Sequence, residues 1–210
     1  MTSFDVKTAV EVAEKRFDAL VLKRALDDIE AWHRKCGTKV SQLLQPPLSS
    51  SEIEMKIGRL GIELPEEVRL LYQWKNGSKD AGVLRYPLFW YHHFLSLEQA
   101  IGEREKLRAN SELGWHANWW PLFDFEGEYY FVECDSKRSA LPIMFYSGED
   151  TEIYYAYLNL TTMLETASAI LNKDIVKAGD EGFSLDGDVK LIFKEHKRFN
   201  DGARFPYQVY

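Results

Sequence analysis

Apolar residues recur at helical spacing from the start of the chain. Val6, Val10, Ala13, Phe17, Leu20 (or Val21) and Leu26 lie three to six positions apart with charges between them. That pattern predicts one helix over residues 4 to about 34, stopping at Cys36-Gly37-Thr38. A loop with Pro46 and Pro47 follows. Ser49 with Glu52, and Ser51 with Glu54, then have capping-box spacing. Ile53, Ile57 and Leu60 form the stripe of a short helix that Gly61 closes. Pro65 suits the first turn of the next helix, where its missing N–H costs little, and Glu66 and Glu67 sit where the helix dipole favours acids. Val68, Leu71 and Tyr72 face inward, and Asn76-Gly77 supplies a left-handed stop. Residues 49–77 therefore read as a tight pair of helices. They lack the basic face that DNA recognition requires.

Beyond this point the period shortens. Gly82–Tyr86 and Phe89–Phe94 read as short strands or an irregular edge. Ser96 and Gln99 open a helix that carries Leu97, Ala100, Ile101 and Leu107. The strongest strand signal is Trp119–Asp135, where apolar and polar residues alternate on both sides of a tight Glu126-Gly127 turn. Leu141–Tyr146 and Ile153–Leu158 form a second pair around Ser147-Gly148-Glu149-Asp150. Asn159–Leu171 returns to helical spacing, and the tail holds a candidate strand at Val189–Phe193. Strands adjacent in sequence and joined by short turns predict an antiparallel meander. The expected class is α+β, with helices packed mainly on one sheet face. The expected organisation is a helical extension over 1–48, a core domain over 49–171 and a C-terminal extension over 172–210.

Charge changes the picture more by its position than by its total. The 210 residues carry a net charge of −7, the wrong sign for a partner built on phosphates. Residues 121–155 hold eight acids, Asp124, Glu126, Glu128, Glu133, Asp135, Glu149, Asp150 and Glu152, against two bases, Lys137 and Arg138. One reading is a solvated outer sheet face that resists aggregation. The other is an acidic docking face for a basic protein, which would raise on-rate and specificity. Candidate contact residues are Asp124, Glu126, Glu128, Asp135, Glu149, Asp150 and Glu152, with Trp119, Trp120 and Tyr155 as aromatic anchors. A strand exposes every second residue, so one of Trp119 and Trp120 is expected to face away from the core, and likewise one of Tyr154 and Tyr155. Such rings also stack on sugars, which keeps a carbohydrate-binding reading open.

Catalytic chemistry finds little support. His92 and His93 are adjacent and would point to opposite faces of a strand, a poor metal grip. Cys36 and Cys134 have no CxxC spacing, which fits a reducing cytoplasm. No P-loop, GxSxG or dinucleotide fingerprint occurs, so no cofactor or metal is expected. No run of 18 apolar residues and no leader-like N-terminus is present, so no membrane partner is expected, and the negative charge already argues against nucleic acid.

The segment from Ile57 through Leu60-Gly61-Ile62-Glu63-Leu64-Pro65 to Tyr72, ending in Asn76-Gly77, resembles the opening motif of the SUKH superfamily. Phe94-Leu95-Ser96-Leu97-Glu98-Gln99-Ala100 resembles that family's helix entry. Trp119–Gly127 is similar to its central hairpin, and Pro142–Phe145 and Tyr157–Leu171 to its last strands and closing helix. The resemblance covers roughly residues 49–171. It implies a protein-binding α+β domain without catalysis. Many bacterial members are immunity proteins that neutralise toxin domains of polymorphic or contact-dependent systems. The expected function is therefore stoichiometric inhibition of a cognate, basic, nuclease-like toxin domain in the cytoplasm. The alternative implied by the resemblance is a scaffold in cell-wall assembly or signalling.

Overall fold

In a computed structural model of the chain, residues 6–79, 88, 91–110, 113–134, 138–148, 152–179, 182–184 and 188–206 are described. The first helical stretch is two helices, α1 (Val6–Arg16) and α2 (Ala19–Lys35). The expected single helix breaks at Phe17-Asp18 because Asp18 acts as an N-cap. Its extended backbone (φ −146°) turns the chain, and its carboxylate accepts from the N–H groups of Leu20 and Val21. A hydrophobic stripe passes through such a cap without registering it.

One turn of helix, α3 (Val40–Leu43), leads to α4 (Ser50–Ile57) and α5 (Glu66–Trp74). Ser49 and Glu52 form the capping box of α4. Helix α5 ends at Trp74 with Lys75 extended, so Asn76-Gly77 is not its stop. Gly77 is instead a left-handed turn residue (φ 70°), pressed so close to the Ser96 backbone that a Cβ would lie 2.2 Å from its nitrogen. Asn76 spends its side chain on the next helix, accepting from Leu97 N–H at 2.9 Å. That helix, α6 (Leu97–Ala109), has the Ser96–Gln99 capping box.

The sheet is an antiparallel meander of β1 (His93–Phe94), β2 (Trp119–Phe125), β3 (Glu128–Glu133), β4 (Ile143–Tyr146) and β5 (Ile153–Tyr157), in that spatial order. Trp119 opposes Glu133, Tyr130 opposes Phe145, and Met144 opposes Tyr155. Pro121 lacks an N–H, and the β2–β3 register slips between it and Phe123. Helix α7 (Leu160–Asn172), capped by Asn159, lies along α2 and contributes buried residues throughout. The tail departs from expectation. A small hairpin, β6 (Lys177–Gly179) and β7 (Gly182–Ser184), precedes α8 (Val189–Phe199). Val189–Phe193 is thus the start of a helix, capped by Asp188, and not a strand. The buried residues of α8 are Ile192, Glu195 and His196, at helical spacing, while Val189, Leu191 and Phe193 are exposed. The segment Gly82–Tyr86 lies outside the described residues.

The main core lies between one sheet face (Trp120, Leu122, Phe123, Tyr130, Phe145) and helices α2, α4, α5 and α7. Trp120 donates to the Tyr72 hydroxyl at 3.3 Å across it. The other sheet face carries a second apolar cluster, including Trp119, Phe131, Met144 and Tyr146, closed by Leu107 of α6 and by Trp115. After α8 the chain runs along the edge of β5, and Arg204 N–H donates to the Tyr155 carbonyl at 2.9 Å. Asn200 joins the same edge, accepting from Leu158 N–H at 3.1 Å.

Candidate protein-binding surfaces

The meander gives the sheet two ends. At one end lie the β2–β3 and β4–β5 turns. Glu126 (φ 47°) and Gly127 (φ 93°) both adopt left-handed backbone, as a two-residue turn matched to strand twist requires. A Cβ placed on Gly148 would lie 3.7 Å from the Gly127 carbonyl oxygen, so the two turns touch. Glu126 and Glu152 are exposed there, and Glu128 is half-buried. Glu152 pairs with Arg204 at 2.7 Å, and the Arg204 guanidinium lies 4.3 Å over the Tyr154 ring. Asp135, Glu149 and Asp150 lie outside the described residues.

Three candidates sit differently from their sequence expectation. Asp124 is 5% exposed and contacts the His93 imidazole, its register partner in β1. Trp119 does turn away from the main core, but it is buried too. His116 stacks on it at 4.4 Å, and Trp115 meets it edge-on at 5.3 Å. Trp120 is fully buried, while Tyr154 and Tyr155 are half-buried on opposite faces. A strand exposes alternate residues only when one sheet face is bare, and here both faces are covered.

Beneath the turns, the His92 ring lies 4.5 Å from Tyr130 and 5.9 Å from Phe125. Neither ring nitrogen has a hydrogen-bond partner, and Nε2 is 3.8 Å from a Glu128 oxygen. Burial, with a smaller push from His93, lowers its pKa to about 3, so it is neutral at physiological pH.

At the opposite end of the sheet is a cleft of about 690 Å³. Its floor includes Cys134, Met144 and Tyr155, and its walls are the α4–α5 turn (Leu60–Glu63), α6 (Arg104 and Arg108) and Ala117-Asn118. Arg104 is almost fully buried and donates from Nε to the Ala117 carbonyl at 3.1 Å, with Nη2 on the same oxygen. Asn118 holds Glu133 at 3.0 Å. Burial pushes the Cys134 thiol up to about 12, so it stays protonated and is no nucleophile at neutral pH. Glu67, buried in the first turn of α5, fixes the entry to β4 beside the cleft. Its carboxylate accepts from Leu141 N–H at 3.1 Å, and from Leu160 and Thr161 N–H at 3.1 and 3.4 Å.

Sequence reading missed the cleft. Its residues come from seven stretches of chain, each of which reads locally as helix, turn or strand. The only signal was Arg104 and Arg108 four apart on α6, which placed two guanidinium groups on one helix face. Among the described residues no group of three or more His, Cys, Asp or Glu is arranged to hold a metal ion, and no helix is long and apolar enough to cross a membrane.

With this α+β arrangement of caps, hairpin and closing helix in place, comparison with family models decides the lineage. The model described as the SMI1 / KNR4 family (SUKH-1) matches residues 47–166. The chain belongs to that family. The SUKH-1 match takes in α4, α5, α6, the whole sheet and the first half of α7. It contains both turns and every cleft residue named above, while α1, α2, α3 and α8 fall outside it. No curated protein matches the chain significantly.

Proposed function

We propose that this SUKH-1 chain is a cytoplasmic immunity protein that binds a cognate toxin domain stoichiometrically and masks its active site or substrate groove. The chain performs no chemistry of its own in this role. One observation carries the reading: the two turns, flanked by Glu126, Glu128 and Glu152, lie side by side at one end of the sheet, with Gly148 next to the Gly127 carbonyl. Exposed Glu126 and Glu152 then share one surface with half-buried Glu128. A toxin acting on nucleic acid presents basic residues to its substrate, and such a surface competes for them.

The test begins with capture of the tagged full chain from its source cells and mass spectrometry of what is retained. One stoichiometric partner ending in a small basic domain is expected. Against that partner, E126K/E152K should weaken binding about tenfold or more at low salt and flatten its salt dependence, with the fold intact. Unchanged affinity would move the interface away from the turns. Several weak partners from wall-assembly or signalling machinery would replace the immunity reading with a scaffold one.

A further inference from the structure

The cleft at the far end of the sheet contains two arginines that no described residue matches with an ion pair. Arg104 is 2% exposed, yet among the described residues its hydrogen bonds all go to one backbone carbonyl, that of Ala117. Among the described residues neither Arg104 nor Arg108 forms an ion pair, and both line the same cavity. Burial and then the neighbouring Arg108 charge pull the Arg104 guanidinium below its ordinary range, with Glu105 pulling more weakly the other way. Buried guanidinium groups are ordinarily matched by a carboxylate or phosphate, because desolvating an unmatched charge is costly. No such match lies among the described residues, and the mouth of the cleft is open to one.

The surroundings narrow its chemistry. Leu60, Ile62, Leu141, Pro142 and Met144 contribute apolar surface to a lining that is more polar than apolar overall, which suits a peptide, with a polar backbone and apolar side chains. Glu63 and Glu133 flank it, which disfavours a doubly charged phosphate and leaves room for a single negative charge. The volume, about 690 Å³, is in the usual range for a ligand site of roughly 300–1,000 Å³, enough for a few residues of extended chain. We propose that the cleft is a second binding site, which takes a carboxylate on an apolar peptide segment by a fork of Arg104 and Arg108. Arginine is suited to this because its planar donors meet both carboxylate oxygens at once. The site lies at the opposite end of the sheet from the acidic turns and does not depend on the toxin reading.

The experiment uses the immobilised full-length protein and a randomised octapeptide library with free C-termini. Retained peptides are sequenced and the best is measured by fluorescence anisotropy. Retained sequences should be apolar with one carboxylate. R108A, a change on an exposed side chain, should weaken the best peptide at least tenfold, R108K less, and E126K/E152K not at all. Amidating the peptide's C-terminus, or changing its acidic side chain to the amide, tells which carboxylate is held. R104M serves as a second variant if its thermal melt matches that of the parent chain. The proposal is overturned if no peptide is retained above the R108A background, or if affinity survives both R108A and loss of the carboxylate. It is equally overturned if inorganic phosphate or AMP protects the chain from thermal unfolding through Arg108 while no peptide does.

Discussion

The two ends of the sheet are built by different means. At the turn end, local backbone chemistry makes the arrangement: two left-handed residues close one hairpin, and glycines let it touch the next. At the cleft end, side chains from distant stretches make it. Glu67 alone joins α5, the start of β4 and the start of α7. The turn end thus presents charge on a surface whose residues are individually dispensable to the fold. The cleft end buries charge, and Arg104, Glu133 and Glu67 there are tied to the scaffold by hydrogen bonds. An interface that must change partners can diversify at the first kind of site at little cost to stability, but not at the second.

Substitutions should separate the two ends by magnitude. Glu67→Ala would strand three backbone N–H groups without an acceptor, and a loss of about 3 kcal/mol or more in urea unfolding is expected. The same residue sets an alkaline limit. Burial raises its carboxyl to about 8 against an ordinary 4.5, despite the three donors. The folded chain therefore holds a proton that the unfolded chain has lost between those values, and stability contributed here falls as pH rises from 4.5 to 8. Glu67→Gln, compared with the parent chain across that window, should flatten the slope.

His92 gives the turn end the opposite dependence. Its pKa falls from 6.5 to about 3 on folding, so the unfolded chain binds the extra proton. Stability is complete above pH 6.5 and declines as pH drops toward 3. His92→Phe keeps the ring contacts with Tyr130 and Phe145, and it should remove much of the acid-side loss in melts between pH 6.5 and 4. Smaller still is Gly127→Ala. There is open space around a Cβ but φ is 93°, so a cost of about 1 kcal/mol is expected. Smallest is E126K/E152K, whose unfolding free energy should stay within about 0.5 kcal/mol of the parent chain. The Glu152–Arg204 pair it breaks is exposed and contributes little. A large loss in this last variant would erase the contrast between the ends.

What the sequence revealed follows the same division. Capping boxes at Ser49 and Ser96, the Glu126-Gly127 turn and the meander were legible because each is written in a few adjacent residues. So was the family, through Leu60-Gly61 to Asn76-Gly77. The break at Asp18 was missed because one cap residue interrupts a continuous apolar stripe. Val189–Phe193 was misread because five residues do not distinguish a strand from the first turns of a helix. One of Trp119 and Trp120 was expected at a surface because sequence cannot show that the second sheet face, to which Trp119 turns, is roofed by Trp115 and α6. The cleft was invisible for a related reason: Arg104, Cys134 and Met144 meet only once the sheet has closed.

The chain that runs from α8 along β5 has a consequence for self-association. Of the two lateral borders of the sheet, β1 is only two residues long and offers no template for another strand. The border at β5 is longer, and Arg204 N–H occupies the Tyr155 carbonyl that an incoming strand would need. That segment acts as a guard against strand addition. Detaching it would offer an open ladder to neighbouring molecules, and concentration-dependent association is expected before any loss of secondary structure.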